Sequence, residues 1–280
     1  MTHIPVLLNE VIAVLNPQPG EFFIDGTVGS GGHATEIIKK IGSEGKFLGI
    51  DWDENNLNDL ISVHGNFADL PEILKNRKLG KVDGLLLDLG FSSEQLKNGR
   101  GFSFSGPEEP LLMTYDLKAT SMKNWLKKLN EKELTEIIRN FSDERYAKRI
   151  ARAIKQNRSP IETNKQLAEI VSQAVPGNYE RGRIHPATRT FLALRIFANK
   201  ELLNLEKLLS SLEQILKAGG RIAIISFNSS EDRIVKNFFR EKAKTGEMKI
   251  LTKKPISPIF EEIKQNPRSR SAKLRAAILI

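Results

Sequence analysis

Short apolar runs ending in an acidic or amide residue punctuate the first hundred residues, and the segments between them carry the three- and four-residue apolar spacing of helices. The runs at 22–25, 46–51, 62–66 and 82–88 read as short buried strands. Ile37, Ile38 and Ile41 mark the apolar face of a helix between two of them. Such alternation predicts a βαβ series, and hence a parallel sheet, because a crossover helix must return the chain to the end where the first strand began. The pattern stops near residue 106. From there to about residue 200 the spacing is helical, with helices expected at 121–130, 131–140, 143–157 and 164–174 and breaks at Ser159-Pro160 and Val175-Pro176-Gly177. Strand and helix signals then resume: a long helix through Leu216 stopped by Gly219-Gly220, a strand at 221–227, a helix at 230–244, and strands at 248–251 and 273–280. The chain is therefore expected to hold a discontinuous sheet domain, 1–105 with 200–280, and an all-helical insert at 106–199.

In open parallel sheets, ligands sit at the carboxyl ends of the strands, so the polar residues there decide the chemistry. The first strand leads into Asp25-Gly26-Thr27-Val28-Gly29-Ser30-Gly31-Gly32-His33. Glycines at 29, 31 and 32 permit positive φ and close approach of a ligand, and the following helix would point its first N–H groups into the same crevice. A dinucleotide fold wants Gly-x-Gly-x-x-Gly directly after the strand and no carboxylate beside the pyrophosphate. Here Asp25 precedes Gly29 by four and Gly31 by six, the spacing of the acidic glycine-rich loop of S-adenosylmethionine enzymes, with Thr27 in place of its first glycine. A sulfonium and an ammonium gain from a nearby carboxylate where a phosphate loses. A plain glycine-rich turn is the bland alternative.

The later strand ends add to the set. Asp51 can accept both ribose hydroxyls, a reading that also suits NAD. Trp52 and Phe67 are candidates for the adenine, or else packing aromatics. Asp88-Leu89-Gly90-Phe91 holds an acid and a ring at the spacing that amino-group methyltransferases use to grip a target amine and stack on its base, without their prolines. Asp88 and Phe91 are thus candidate catalytic residues for a base taken out of its stack.

Composition narrows the partners. With no cysteine among 280 residues, disulfides and thiolate chemistry are excluded, and four scattered histidines argue against a structural metal. No apolar run approaches the roughly 18 residues of a membrane span, and the opening Met1-Thr2-His3-Ile4-Pro5 lacks the basic region of a signal peptide, so a cytoplasmic protein is expected. The net charge of +9 points to a polyanion. Residues 118–158 hold twelve lysines and arginines against five acids, and Arg145, Lys148, Arg149, Arg152 and Lys155 recur at helical steps, which puts them on one face as candidate RNA contacts. His185, Arg189 and Arg195 are candidates to line a target pocket.

Taken together, the motifs resemble one family, the bacterial 16S rRNA cytosine-N4 methyltransferases. The resemblance runs nearly end to end. It is carried by His3-Ile4-Pro5-Val6-Leu7-Leu8, the Asp25 to His33 loop, Leu87-Asp88-Leu89-Gly90 with Ser92-Ser93 and Gln95, and Arg100-Gly101-Phe102-Ser103-Phe104. Glu144 to Ala151, His185-Pro186-Ala187-Thr188-Arg189-Thr190-Phe191, Ile225-Ser226-Phe227, Glu231-Asp232-Arg233 and Asn266-Pro267-Arg268-Ser269-Arg270-Ser271 continue it. The resemblance implies a class I methyltransferase fold, a Rossmann-like, mostly parallel sheet with a helical insert, and 16S rRNA or the small ribosomal subunit as partner. It implies S-adenosylmethionine contacts at Gly31, Gly32, His33, Asp51, Phe67, Asp88 and Gln95, beside the Asp25 read from the loop. Two departures stand out. Pro110-Leu111-Leu112-Met113-Thr114-Tyr115-Asp116 lacks an acid and an arginine of the family pattern, and Asn228 stands where the family has histidine, keeping hydrogen-bonding capacity without a near-neutral titration. Asn228 joins Asp88 and Phe91 as a catalytic candidate. A non-catalytic ribosome-binding relative and an NAD-dependent oxidoreductase are the competing functions.

Overall fold

The computed structural model describes residues 5–52, 61–90, 99–179 and 184–280. Its helices are α1 (Leu8–Leu15), α2 (Gly32–Ile41), α3 (Leu70–Asn76), α4 (Met122–Lys128), α5 (Glu131–Ser142), α6 (Ala147–Gln156), α7 (Asn164–Ala174), α8 (Thr188–Asn199), α9 (Glu201–Ser210), α10 (Leu212–Ile215), α11 (Ser229–Lys244) and α12 (Phe260–Gln265). The strands are β1 (Phe22–Asp25), β2 (Lys46–Asp51), β3 (Ile61–His64), β4 (Val82–Asp88), β5 (Leu216–Ser226), β6 (Met248–Ile250) and β7 (Lys273–Leu279). They form one sheet in the order β3-β2-β1-β4-β5-β7-β6, parallel except for β7, which runs antiparallel to both its neighbours. The fold class is the expected mixed α/β one. Strand order reverses between β1 and β4, and at such a switch point the two crossover helices diverge and leave a crevice at the carboxyl ends.

Side-chain alternation sorts the sheet into two cores. Phe22 and Ile24 of β1, Leu85 and Leu87 of β4, and Ile222 and Ile224 of β5 bury against α3, α9, α10 and α11. Phe23, Leu86, Ala223 and Ile225 face the other way, onto α1 and α2 through Val11, Leu15, Ile37 and Ile41. Both faces are apolar, so the strands lack a solvent-facing register.

The chain divides into two compact units, residues 1–90 with 202–280 and residues 91–201. The boundary expected at 105/106 falls at 90/91 because Phe102 and Phe104 pack on the helical core, and the buried Asn164 of α7 donates to the carbonyls of Ser103 (2.6 Å) and Pro107 (3.1 Å). The second boundary, expected at 199/200, falls after Glu201, which forms a largely buried two-bond ion pair with Arg195 at 2.9 and 3.0 Å. The core of the helical unit is built from α4 to α8, with Leu134, Ile138, Ile150, Leu167, Val171 and Phe191 at its centre.

Several boundaries differ from expectation. Instead of one helix over 143–157, α5 ends at a left-handed Asp143 and α6 starts only at Ala147. Gly219-Gly220 does not stop a helix, because α10 ends at Ile215 and β5 starts at Leu216. The register with β4 jumps from Val82↔Leu216 to Gly84↔Arg221, so residues 217–220 bulge from the strand, and Gly219 at φ 78° makes that bend. Helix α8, apolar nearly all round, and the short α12 carry no clear one-faced pattern, and the apolar spacing does not predict them.

Gly84 sits where β4 meets the ring of Phe23, and a Cβ there would lie 2.0 Å from Phe23 Cε1. Gly84→Ala is therefore expected to destabilise the sheet unit by about 1–3 kcal/mol, since a packed core resists even one added methyl. Gly80→Ala, exposed with open space at its Cα, should change urea denaturation by no more than about 0.5 kcal/mol. Equal midpoints for the two variants would contradict this packing argument.

Candidate active site

The carboxyl ends of β1, β2 and β4 each present an aspartate. Asp25 is buried, and its Oδ1 accepts from the Thr27 backbone N–H (3.0 Å) and the Thr27 hydroxyl (3.3 Å). The same Thr27 oxygen accepts from the Asp88 N–H at 2.6 Å. Thr27 thus joins the ends of β1 and β4, a role a glycine could not fill. A hydroxyl residue two positions after an aspartate is a turn signal, and its place in a glycine slot marks it in the sequence. Gly26 lies between these strand ends, where a Cβ would come within 2.6 Å of Leu87 and 3.1 Å of the Cβ of Phe67. Phe67 therefore stands beside the loop, opening the short 3-10 turn after β3.

Asp51 reaches the same loop, with its Oδ2 accepting from the Gly29 N–H at 2.8 Å. The Val28 N–H bonds the Ile50 carbonyl (3.0 Å) and the Gly31 N–H bonds the Val28 carbonyl (2.8 Å). The amides of Gly26, Thr27, Val28, Gly29 and Gly31 are thus engaged inside the protein. A pyrophosphate would meet three carboxylates and find these N–H groups taken, whereas a cationic ligand with hydroxyls fits the donor set. Gly31 (φ 80°) is the left-handed cap of α2. Gly32 is explained by packing, because a Cβ there would meet Pro5 at 2.4 Å.

The His33 side chain reaches both the N-terminal segment and the end of β4. Its Nε2 donates to the Val6 carbonyl at 2.9 Å, and Nδ1 lies 4.0 Å from Asp88 Oδ2. Trp52 packs edge-on to His64, with ring centres 6.4 Å apart. Asn228, expected as a catalytic residue, caps α11: its Oδ1 accepts from the N–H groups of Ser230 and Glu231, each at 3.0 Å, while Glu231 returns the bond to the cap. That oxygen is committed to the helix terminus. Phe91 and Gln95 lie outside the described residues.

A model of the MraW methylase family matches residues 1–279. The chain belongs to that family. The ribosomal RNA small subunit methyltransferase H of Thermotoga neapolitana is 46% identical to this methylase, covering 99% of this chain and 96% of its own. Its counterparts in Syntrophus aciditrophicus (44%, covering 98% and 96%) and Clostridioides difficile (42%, covering 98% and 98%) are similar along the same extent. Methyl transfer is thus the activity class. No helix among the described residues is long and apolar enough to cross a membrane, and none of their His, Asp and Glu side chains group as a metal site.

In the helical unit of this methylase, the expected basic face is only partly present. Lys148 and Arg149 are exposed on α6. Arg152 is exposed too, with Nε 3.5 Å from Glu131 Oε1, and Lys155 donates to the Leu126 carbonyl at 2.8 Å. Arg145 is not on the helix at all. It lies in the preceding turn, with its guanidinium over the rings of Tyr146 (5.3 Å) and Tyr179 (5.0 Å). His185 stacks on Phe104 at 4.4 Å and Arg189 is half-buried at the start of α8, while Arg195 is held by Glu201 rather than lining a pocket. Thr114 is buried in this unit.

Burial is the largest influence on Asp25 and raises its pKa to about 6, opposed by His33 and the Thr27 bonds and reinforced by Asp88. Burial likewise lowers the pKa of His33, against the pull of Asp25. For Asp25 the folded chain holds the proton more tightly than the unfolded chain. Its contribution to stability is present at low pH and is lost as pH rises from about 4 to about 6. The unfolding free energy of wild type minus that of Asp25→Asn should therefore fall across that window and level off above it. Urea denaturation at a series of pH values tests this, and a flat difference would place Asp25 among ordinary carboxylates.

Proposed function

We propose that this methylase transfers a methyl group from S-adenosylmethionine to the exocyclic N4 amine of a cytosine in 16S rRNA, acting on the small ribosomal subunit or its RNA in the cytoplasm. The observation that carries the reading is the set of aspartates at the ends of β1, β2 and β4 around an acidic glycine loop in which the amides from Gly26 to Gly29 and that of Gly31 are already bonded. When bound, S-adenosylmethionine supplies an electrophilic methyl on a sulfonium. In this reading Asp51 accepts ribose hydroxyls with the lone pairs it does not give to Gly29, and Phe67 lies against the adenine. Asp25, Gly31, Gly32 and the backbone at His33 line the rest of the cofactor site, with Gln95 assigned by the family resemblance alone.

Cytosine N4 is a weak nucleophile because its lone pair is delocalised into the ring. Asp88 accepts its hydrogens and turns the amine toward the methyl, and Phe91 stacks on the flipped base. The attacking amine becomes cationic and must then lose a proton, for which a carboxylate is the nearby acceptor. Asn228 contributes indirectly, by fixing the start of α11 beside the end of β5. Lys148, Arg149 and Arg152 contact RNA phosphates, with Arg145, His185 and Arg189 as further contacts on the helical unit. Comparing small-subunit rRNA nucleosides by mass spectrometry in cells with and without this gene tests the target: loss of N4-methylated cytidine is expected, and a missing mark at carbon or ribose instead would overturn the assignment.

Binding and chemistry should separate by residue. Asp51→Ala is expected to weaken S-adenosylmethionine binding by about 2–4 kcal/mol in calorimetry, through the removal of charge-assisted bonds and a loosened loop. Asp88→Asn should lower kcat by about 10² or more with a smaller change in cofactor affinity. A normal single-turnover rate for Asp88→Asn would remove it from the chemistry.

The exposed pair on α6 gives the RNA test. Lys148→Glu with Arg149→Glu should weaken rRNA binding and flatten its log–log salt dependence by about one for each phosphate no longer neutralised, leaving cofactor affinity unchanged. Unaltered binding at every salt concentration would make α6 a merely solvated helix.

A further inference from the structure

The segment from Lys253 to Lys273 belongs to the sheet unit and has no part in the site described above. It carries six lysines and arginines against two glutamates. It also carries two of the most exposed apolar side chains of the described residues, Ile259 at 62% and Phe260 at 75%. A phenyl ring so far out of the core gains nothing from burial in the free chain. Helix α12 is nonetheless fixed in place. Glu262 accepts from the Leu7 N–H at 2.8 Å, and the neighbouring Val6 carbonyl is the acceptor for His33 in the cofactor loop. The 3-10 turn Pro267–Ser271 follows, with Ser269 fully buried and bonded to the Asn266 carbonyl, so that Arg268 and Arg270 on either side of it are held at the surface.

Topology sets where this segment lies. Because β7 is antiparallel, its first residue Lys273 pairs with Ser226, the last residue of β5, one position beyond the Ile225 that pairs with Asp88. The turn and α12 therefore stand at the same end of the sheet as Asp25, Asp51 and Asp88. A basic, aromatic-bearing strip at that end matches single-stranded RNA, which offers phosphates to arginine and base faces to a ring. We propose that α12 and the Pro267–Ser271 turn form a contact surface for single-stranded rRNA, with Phe260 stacking on a base and Arg270 meeting a backbone phosphate. The proposal rests on the rRNA methyltransferase reading and adds a surface on the sheet unit to the one on α6.

The test measures binding of a fluorescently labelled transcript of small-subunit rRNA, and of purified small ribosomal subunits, to the full chain over a range of salt. Phe260→Ala should weaken binding to the transcript about tenfold, Phe260→Tyr should restore it, and Arg270→Glu should lower the salt slope by about one. Cofactor affinity should stay within about twofold, which also reports that the variants are folded. Unchanged transcript affinity and slope in folded variants would overturn the surface while leaving the methyltransferase reading intact. A loss seen only with assembled subunits would overturn it in favour of a protein partner. If wild type neither bound nor methylated either substrate, the rRNA reading would fall, and this surface with it.

Discussion

One threonine hydroxyl closes the site. Thr27 donates to the buried Asp25 and accepts from the backbone of Asp88, so the ends of β1 and β4 are linked at the point where strand order reverses. This link adds to the backbone pairing of the two strands and to His33, which lies near both acids, in holding two carboxylates at one crevice. An ionised carboxylate this deep is costly unless it is bonded, and burial shows as the raised pKa of Asp25. The cluster is therefore electrostatically unfavourable by itself, in a way that a cationic ligand relieves. Repulsion of this kind is tolerated because the surrounding sheet is packed on both faces and overdetermines the geometry.

The sheet is legible because its strands announce themselves: β1, β2 and β4 are apolar runs closed by aspartates, and their bounds match the expected ones. The end of the sheet that holds the candidate site follows from the same aspartates. What the sequence hides is decided by tertiary contacts. Nothing in Arg145 reveals that its guanidinium will rest on two tyrosines instead of joining a helical face, since helical spacing continues through the turn. Gly32 looks like a ligand-binding glycine, and only the position of Pro5 shows that packing requires it. His33 looks like a ligand contact for the same reason, yet its ring fastens the N-terminal segment. In each case the local motif is real, and a contact distant in sequence adds a second demand on the residue.

The two units place their charge differently. On the helical unit, part of the positive surplus is tied to neighbours, as Arg152 is to Glu131 and Arg195 to Glu201. A lysine or arginine held by a carboxylate must break that pair to bind phosphate, so counting basic residues overstates a nucleic-acid surface. The buried Arg195 pair is more costly to open than the exposed Arg152 pair, because both of its partners are desolvated. Exposure together with pairing is the better guide, and it favours Lys148 and Arg149 over the rest of the run.

Asparagine at residue 228, where the family resemblance implies histidine, answers first to the helix it begins. The position starts α11, and the first need of a helix start is an acceptor for its unpaired N–H groups. Asparagine is among the best residues for that task, and here it forms a complete reciprocal box with Glu231. A neutral histidine has one acceptor nitrogen, and a protonated one has none, so it caps less well and only while uncharged. Asparagine at 228 thus gives a firm helix terminus that does not titrate. In the chemistry proposed above, where the amine needs positioning more than a strong base and Asp88 stands at the neighbouring strand end, no second proton acceptor is called for at 228. The helix that Asn228 begins accounts for its side-chain oxygen, while its buried Nδ2 has no hydrogen-bond partner among the described residues.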